Sequence, residues 1–306
     1  MKVVTDSQEL KSVLNAGSAM TVGTFDGVHL GHKTLIEYVV SAARERGLKS
    51  LVLTFEPHPI YVLRPDIKVE CIALRDEKIA RLSNFGLDYL LILNFNTKLA
   101  NFKAEYFFEN ILIGDLNARF IALGFNHTFG KNREGNFEFL QKIAPAKGCD
   151  VSQIDPYIYN GDPISSSRIR KALKNGDIEN ANSMLNEPFT LPGKIIKGKG
   201  VGHKIGYPTI NMKIDEGKLI PHAGVYAAAV EIAGKEYCGM MYIHPRPETC
   251  ELEMNIFDFA GDIYEQRAVV KPKVFTREAV KFPDYESLSL QLAKDEEEIK
   301  RIFGIV

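Results

Sequence analysis

The segment TVGTFDGVHLGH, residues 21–32, places three glycines, one aspartate and two histidines directly behind an apolar run. Glycines let backbone N–H groups approach an anion, and a helix that begins near Gly31 directs its positive end at the same place. This pattern indicates a phosphate-binding turn. Two other interpretations stay open on the spacing alone. One is a metal site built on His29 and His32, which lacks a third ligand nearby in sequence, and the other is a plain turn with exposed histidines.

Three further segments place polar side chains just after predicted strands or at a predicted helix start. His58 lies in FEPHP, Asn126 in LGFNHTFGKNREGN, and Arg168 in the serine-rich stretch ISSSRIRKALKNGD. Each segment alone has an ordinary explanation, such as a helix cap. Taken together, hydroxyl groups, backbone amides and an arginine at a helix start favour a second anion-binding cradle.

The elements that must position these residues follow a βαβα order over the first 185 residues. Apolar runs predict the strands, and apolar residues at helical spacing predict the helices between them. The predicted strands cover 19–25, 50–55, 87–95 and 118–125, and the predicted helices cover 31–47, 75–86 and 104–112. This alternation predicts a doubly wound, Rossmann-like parallel sheet with helices on both faces, which binds ligands at the carboxyl ends of its strands.

Around residue 186 the sequence becomes rich in glycine and proline and then in short strand-like runs. Strands are predicted over 224–232, 235–243, 250–259 and 266–275, and an amphipathic helix over 285–304. Several short strands separated by turns predict a small antiparallel β-barrel, which the C-terminal helix completes. We therefore expect two domains, residues 1–185 and residues 186–306.

The second candidate site is the glycine-rich segment GKGVGHKIGYPTIN, residues 198–211. It lacks the lysine and serine/threonine pair of a P-loop, so its glycines alone are weak support for a nucleotide site. Thr209 and Asn211 carry short oxygen-bearing side chains two residues apart on a strand, and such oxygens could share a Mg²⁺–nucleotide. From these residues alone, ordinary turn polarity beside a β-bulge is the favoured interpretation.

Composition restricts the partners that we expect. Lysine and arginine number 38 against 39 acidic residues, and the net charge of −1 gives no general attraction to nucleic acid or to an anionic membrane. The four cysteines are far apart, which suits a reducing compartment, and no apolar run reaches the ~18 residues of a membrane span. The polar first residues are unlike a signal peptide. We expect a cytoplasmic protein with small-molecule substrates, without a nucleic-acid or membrane partner, and monomeric or weakly homo-oligomeric.

The motifs GTFDGVHLGH, TFEPHP, GFNHTFG and ISSSRIR, in this order, closely resemble those of the bacterial bifunctional riboflavin kinase/FAD synthetase family. An H-x-G-H signature alone would also fit pantetheine-phosphate or nicotinamide mononucleotide adenylyltransferases. The surrounding motif and the second half of the chain select the flavin family. The resemblance implies that an N-terminal nucleotidylyltransferase domain adenylylates FMN with ATP, giving FAD and pyrophosphate.

The same resemblance implies roles for residues of the N-terminal half. His29 and His32 would contact the ATP phosphates and stabilise the transition state at the α-phosphorus, and Arg168 would hold the outgoing phosphates. Asp26 would orient the glycine turn or serve a metal, and we favour the structural role. The other residues implied in nucleotide binding are Gly23, Phe25, Gly27, His58, Asn126, Ser165 and Ser166. Because the FMN phosphate is already an anionic nucleophile, positioning and charge neutralisation could carry the reaction without a general base.

The C-terminal half resembles riboflavin kinases through GKGVGHKIGYPTIN, LIPHAGVYA and ELEMNIFDFAGDIY. The resemblance implies phosphorylation of riboflavin to FMN by ATP with Mg²⁺, in which Glu253 accepts the proton of the ribityl hydroxyl. Arg277 and Glu278 would contact the flavin. The residues implied in binding the nucleotide are Gly198, Gly200, Gly202, Pro208, Thr209 and Asn211, and of these Thr209 and Asn211 would also hold the metal.

One stretch departs from the family pattern, which usually reads Asn-Ile-Gly-x-Arg-Pro-Thr. Here Tyr242 replaces the asparagine, His244 replaces the glycine, and the loop within 242–250 is short. Glu251 and Glu253 both lie near the expected base, on the same strand face. Two alternatives therefore stay open: a FAD synthetase whose kinase half is impaired or only binds flavin, and a non-catalytic regulator that responds to flavin or nucleotide.

Overall fold

The computed structural model describes residues 1–66, 70–198, 200–245 and 252–305. The chain divides into two compact units, Met1–Val69 with Ala73–Ser165 and Glu70–Ile72 with Ser166–Val306. The second unit begins before residue 186 because the helix over Ile178–Met184 packs on a barrel strand, and the helix over Ser166–Lys174 packs on that helix. The side-chain amide of Asn182, for example, donates to the carbonyl oxygen of Pro272 at 3.3 Å. The assignment of one function to residues 1–185 and another to residues 186–306 stays a prediction.

The first unit alternates between strands and helices. Its strands are β1 (Lys2–Val4), β2 (Ser18–Val22), β3 (Lys49–Glu56), β4 (Tyr89–Asn94), β5 (Ala118–Gly124), β6 (Asp150–Ile154), β7 (Ile158–Tyr159) and β8 (Asp162–Pro163). Its α-helices are α1 (Gln8–Lys11), α2 (Leu30–Arg46), α3 (Pro59–Leu63), α4 (Arg75–Ser83), α5 (Thr97–Ala100), α6 (Ala104–Tyr106) and α7 (Phe137–Ile143). A π-helical segment, Phe107–Asp115, continues α6, and 3₁₀ turns cover Lys131–Arg133 and Pro145–Lys147.

All neighbouring strands of the main sheet run parallel, in the order β1-β4-β3-β2-β5-β6. The chain places β3 and β4 on one side of β2 and then β5 and β6 on the other, so the strand order reverses beside β2. Ligands of such sheets bind outside the carboxyl ends of the strands at this reversal. The predicted doubly wound parallel sheet is confirmed, and its reversal point lies directly before the glycine turn.

The central strand β2 is buried along its whole length. Met20 and Val22 pack into the core on one face of the sheet and Ala19 into the core on the other, as the alternating side chains of a strand must. The helix α2 covers this second face, where Ile36 is fully buried. Each buried aliphatic side chain of this kind contributes roughly 1.5–3 kcal/mol to stability. The end of β2, and with it the start of the turn, is therefore firmly placed.

Parts of the first unit lack the local pattern on which the sequence prediction depends. β1 has only 3 residues, and the edge strand β6 consists of exposed and half-buried residues. The helix predicted over 104–112 begins as α6 but widens into the π-helix that ends at Asp115. Short edge strands and irregular helices leave little periodic signal in a sequence.

The second unit is a β-barrel with helices before and after it. Its strands are β9 (Leu191–Ile196), β10 (Ile210–Ile214), β11 (Gly224–Ile232), β12 (Lys235–Ile243), β13 (Leu252–Ile256) and β14 (Arg267–Glu278). Its helices are α8 (Ser166–Lys174), α9 (Ile178–Met184), α10 (Val201–Lys204) and α11 (Tyr285–Phe303). The barrel closes in the order β10-β13-β12-β11-β14-β9, and every neighbouring pair is antiparallel. The predicted antiparallel barrel and C-terminal helix are confirmed, whereas β9 is not predicted from its glycine- and proline-rich surroundings.

The C-terminal helix α11 packs against the barrel strands β11 and β12. Asp284 caps its first turn by accepting a hydrogen bond from the backbone N–H of Ser287 at 2.8 Å, and Gly304 ends it with a φ of +67°. Ile299 is fully buried in a cluster with Met240 and Phe257. In the part of the chain that the structure describes, no helix is both long and apolar enough to cross a membrane.

Candidate active sites

The first candidate site is the turn between β2 and α2. The backbone of Phe25, Gly27 and Val28 has positive φ, and the value of +85° at Gly27 is one that glycine adopts without steric cost. The turn leads into α2, a helix of 17 residues. The N-terminus of this helix directs its first N–H groups and its partial positive charge toward the turn. The local structure is therefore suited to bind an anion.

His29 and His32 lie face to face at the start of α2. Their ring centroids are 3.6 Å apart at an interplanar angle of 16°, and the ring of Phe25 packs edge-on against His32 at 5.1 Å. His29 is the N-cap residue, because its Nδ1 accepts a hydrogen bond from the backbone N–H of His32 at 3.2 Å. Nδ1 is therefore unprotonated, and the proton of the neutral His29 ring lies on Nε2.

Burial keeps both imidazole rings neutral near pH 7. It lowers the pKa of His29 to about 4, although the nearby Asp26 carboxylate acts in the opposite direction. Burial also holds the pKa of His32 well below its ordinary range, and electrostatic interactions with His29 and Lys78 lower it further. The Nδ1 atom of His32 is enclosed and has no hydrogen-bond partner among the described residues. Neutral rings that carry an N–H at a helix N-terminus can donate hydrogen bonds to phosphate oxygens.

Asp26 anchors the glycine turn to the segment before α4. Its side chain is buried, and its carboxylate accepts the backbone N–H of Ala73 at 3.0 Å. The ring of Phe25 fills the space beside Gly23, where an added Cβ would lie 3.1 Å from it. The contact to Ala73 supports the structural role of Asp26 that we favour from the sequence. Within the described residues, no three histidine, cysteine or carboxylate side chains form a group that could hold a metal ion.

Two buried cations from α4 hold the carbonyl groups of the turn. Lys78 is 6% exposed, and its Nζ donates to the carbonyl oxygen of Thr24 at 3.3 Å. Arg81 is 3% exposed, and its Nη1 donates to the carbonyl oxygen of Gly27 at 2.9 Å. No sequence pattern marks these two residues, because charged residues on a short amphipathic helix usually lie on the surface.

His58 and Asn126 follow the two strands that flank β2 in the sheet. Parallel strands β3 and β5 end at Glu56 and Gly124, so both residues lie at the same sheet edge as the glycine turn. His58 caps α3, since its Nδ1 accepts the backbone N–H of Ile60 at 3.3 Å. Asn126 is exposed. The topology thus places both residues at the carboxyl ends of the parallel strands, as predicted from the sequence. Their contact with a nucleotide stays a prediction.

Ser165, Ser166 and Arg168 lie at the beginning of α8. The serine-rich segment begins a helix, as its pattern predicts. Ser165 is the last residue of the first unit, and Ser166 and Arg168 belong to the second unit. Their part in holding the outgoing phosphates stays a prediction.

The second candidate site is a cavity of about 260 Å³ in the barrel unit. Its apolar lining includes Met240 from the barrel, Leu292 from α11 and Phe282 from the segment between them. Its polar lining includes Thr209 and Glu253. An apolar cavity with a few polar groups is suited to bind an aromatic ligand whose polar end needs a defined position.

The glycine-rich loop of the second unit lies against the side chain of Asn211. A Cβ at Gly198 would lie 2.2 Å from Nδ2 of Asn211, so this close approach requires glycine. Gly200 precedes α10 with a φ of +68°, and Gly202 lies within this short helix. The loop therefore encloses Asn211, which is 8% exposed.

Thr209 directly precedes β10, and Asn211 lies in this strand. Asn255 on β13 holds the start of this strand, because its Nδ2 donates to the carbonyl oxygen of Pro208 at 2.7 Å. No sequence pattern marks Asn255, because an asparagine inside an apolar strand carries no spacing signal. The side-chain oxygens of Thr209 and Asn211 thus lie at the start of a strand that this hydrogen bond holds in place.

Glu253 lies on β13 between neighbours from two other strands. It is opposite Asn211 on β10 and opposite Tyr242 on β12. Its Oε1 lies 3.2 Å from Nε2 of His244. The barrel register therefore brings together the expected base and one of the two expected metal ligands, which lie far apart in sequence.

The stretch over 242–250 is described in part. Burial and the charge of Glu253 raise the pKa of Tyr242, whereas Arg277 acts in the opposite direction. The ring of Tyr242 packs edge-on against His244 at 4.7 Å. Glu251 and the loop residues 246–250 lie outside the described residues, and the expectations about them stay predictions.

Arg277 and Glu278 end β14, and each has a partner in the second unit. The guanidinium of Arg277 donates from Nε to both carboxylate oxygens of Asp295, at 2.9 and 3.1 Å. Asp295 is 2% exposed on α11 and also accepts from Gln291 at 2.8 Å. Glu278 lies 2.9 Å from Nε2 of His222. Both side chains thus have partners within this unit, and their contact with flavin stays a prediction.

Comparison with known proteins identifies the two halves separately. The FAD synthetase family model matches residues 11–168, and the riboflavin kinase family model matches residues 185–303. A bifunctional riboflavin kinase/FMN adenylyltransferase from Listeria monocytogenes is 34% identical over 291 residues, which cover 93% of this chain and 92% of the relative. The protein of the same name from Escherichia coli is 32% identical over 312 residues, which cover 100% of this chain and 99% of the relative. A crystal structure described as a macrolide-efflux protein from Streptococcus pneumoniae has a TM-score of 0.87 and 30% identity, with 98% of each chain covered.

The two family matches follow the same order along the chain as the sequence motifs. Agreement with the Streptococcus pneumoniae structure extends to the fold as well as the sequence. The resemblance carried by the motifs is therefore confirmed, and the chain belongs to the bifunctional riboflavin kinase/FMN adenylyltransferase family.

Proposed function

We propose that the two ATP-dependent reactions of this family are divided between the two halves of the chain. The chain is a riboflavin kinase and an FMN adenylyltransferase. In this division, residues 186–306 transfer the γ-phosphate of ATP to riboflavin, giving FMN and ADP. Residues 1–185 transfer the adenylyl group of a second ATP to FMN, giving FAD and pyrophosphate. The observation that carries the division is that each family match contains one of the two candidate sites.

Adenylyl transfer depends on charge neutralisation more than on proton removal, because the FMN phosphate is already an anionic nucleophile. One of its oxygens attacks the α-phosphorus of ATP, and the bond from this phosphorus to the pyrophosphate oxygen breaks. In our proposal, the neutral His29 donates its Nε2–H to a phosphate oxygen, and the first N–H groups of α2 add further donors. Donors that are already in place stabilise the transition state without reorganisation.

Phosphoryl transfer to riboflavin requires a base near the substrate hydroxyl. In our proposal, Glu253 takes the proton of this hydroxyl while the hydroxyl oxygen bonds to the γ-phosphorus of ATP. The position of Glu253 among the few polar residues that line a mostly apolar cavity supports this role, since the flavin ring system is a flat aromatic group and its ribityl chain is polar. Asn211 lies opposite Glu253 and would position the nucleotide beside it.

We also propose Thr209 and Asn211 as the protein ligands of a Mg²⁺ ion that accompanies ATP in the barrel unit. The donor set fits this ion, because both side chains offer oxygen atoms and Mg²⁺ prefers oxygen ligands. Asn211 is buried under the glycine loop, and any side chain at position 198 would clash with it. When bound with ATP, the ion would neutralise phosphate charge.

The two alternatives from the sequence are less well supported. The riboflavin kinase model matches the half with the altered 242–250 stretch, and Glu253 lies in the barrel register beside Asn211. A non-catalytic regulator would not need the stacked neutral histidines of the first unit.

We propose a cytoplasmic location, which the free thiols of Cys149 and Cys238 support. We also propose that the protein is a monomer or a weak homo-oligomer, as expected from the sequence.

Replacing His29 by asparagine separates its structural role from its proposed catalytic role. Asparagine caps helices well, so α2 keeps its N-terminus, but the imidazole donor is lost. We expect FAD formation from FMN to fall by about 100-fold or more, and FMN formation from riboflavin to stay unchanged, when flavin products are separated chromatographically. FAD formation at the wild-type rate in His29→Asn would remove His29 from the catalytic site.

The same variant tests whether His29 is buried in its neutral form. The pKa of His29 is about 4 in the folded state against an ordinary value of 6.5, so the unfolded chain binds more protons between these two values. The free energy of unfolding therefore falls as the pH drops through this range, by roughly 3 kcal/mol from His29 alone. Urea unfolding of wild type and His29→Asn near neutral pH and near the folded-state pKa measures the loss. We expect a smaller loss in the variant, and equal losses would contradict neutral burial.

Glu253→Gln removes the proposed base and keeps the size of the side chain. We expect FMN formation from riboflavin to fall by about 100-fold or more, because glutamine cannot accept the hydroxyl proton. FAD formation from supplied FMN is the internal control and should match the wild type. A similar loss of both activities would contradict two separate sites.

A further inference from the structure

The contact between His244 and Glu253 is not used by the roles proposed above. Nε2 of His244 lies 3.2 Å from Oε1 of Glu253. The two side chains are 30% and 36% exposed, so neither is a core residue, and Glu253 lines the cavity. An ionised carboxylate has only acceptor oxygens, so Nε2 of His244 must carry the proton of this hydrogen bond.

We propose that His244 is a positioning residue for Glu253 in riboflavin phosphorylation, an inference that rests on the proposed role of Glu253 as the base. The Nε2–H of His244 occupies Oε1, which leaves Oε2 to take the substrate proton. The carboxylate is thus held in one orientation before riboflavin binds. A base that is already oriented lowers the entropic part of the barrier, as the third member of a catalytic triad does for its histidine.

His244 is itself held in place by the barrel. It follows directly after β12, and the ring of Tyr242 packs against it with an interplanar angle of 69°. Tyr242 is also the cross-strand neighbour of Glu253. The register of β12 and β13 therefore places the histidine beside the glutamate, with Tyr242 limiting the rotation of the imidazole ring. The glycine of the usual family pattern could make neither contact.

The proposed step balances without a change in the protonation of His244. The hydroxyl oxygen of riboflavin forms a bond to the γ-phosphorus, and the bond from this phosphorus to the β–γ bridging oxygen breaks. ADP leaves with that electron pair, and the hydroxyl proton passes to Oε2 of Glu253. Because His244 acts only through Glu253, its loss should lower kcat and leave the KM for riboflavin nearly unchanged.

The test compares two variants in steady-state FMN formation with saturating ATP and Mg²⁺. His244→Leu fills similar space but cannot donate a hydrogen bond, whereas the side-chain amide of His244→Gln can replace the Nε2–H. We expect the leucine variant to lose about 10-fold to 100-fold in kcat with KM within about twofold, and the glutamine variant to keep about a third of kcat or more. Quenching of riboflavin fluorescence confirms that the barrel of each variant is folded and binds flavin.

Three results would overturn the proposal: wild-type kcat in His244→Leu, equal losses of kcat in both variants, or a raised KM at unchanged kcat. The double variant His244→Leu/Glu253→Gln separates the inference from its premise. We expect it to be no slower than Glu253→Gln alone, because His244 acts through Glu253. Full FMN formation by Glu253→Gln would instead overturn the assignment of the base, and a loss in Glu253→Gln with none in His244→Leu would overturn only the role of His244.

Discussion

The burial of two stacked imidazole rings at the N-terminus of α2 is the constraint on which the first unit depends. Histidines exposed at this place would take up protons easily and would be weakly positioned. Burial keeps them neutral, and the hydrogen bond from the His32 backbone to Nδ1 of His29 determines which nitrogen carries the proton. The buried strand β2, the turn at Gly27 and the cations Lys78 and Arg81 all serve to hold this arrangement. The sheet order reverses beside β2, where ligands of such sheets bind, and we propose that the rings contact the nucleotide there.

In the barrel unit, the key side chain is positioned in a different way. The carboxylate that we propose as its base must stay accessible, so it is placed by strand register instead of by burial. Pairing of β13 with β10 and β12 sets Glu253 beside Asn211 and Tyr242. The start of β10 is held by two further contacts: the glycine loop packs closely against Asn211, and Asn255 donates a hydrogen bond to Pro208. The helix α11 adds apolar lining to the cavity and holds Arg277 through Asp295.

The fold could be predicted from sequence wherever an element carries its own periodic signal. The apolar run of β2, the spacing of α2 and the strands β11 and β12 are of this kind, whereas β1, β6 and β9 are short or lie among exposed, glycine-rich or proline-rich residues. The motifs locate both candidate sites because their glycines and polar residues are close together in sequence. The contacts of Lys78, Arg81 and Asn255 could not be predicted in the same way. Their partners are backbone carbonyl groups tens of residues away, and no local spacing records such a pairing.

One chain carries both successive reactions, and the time course of products from riboflavin and ATP shows whether it does. We predict that FMN appears first together with ADP, and that FAD follows together with pyrophosphate. FAD formation from supplied FMN without any FMN formation from riboflavin would contradict the claim.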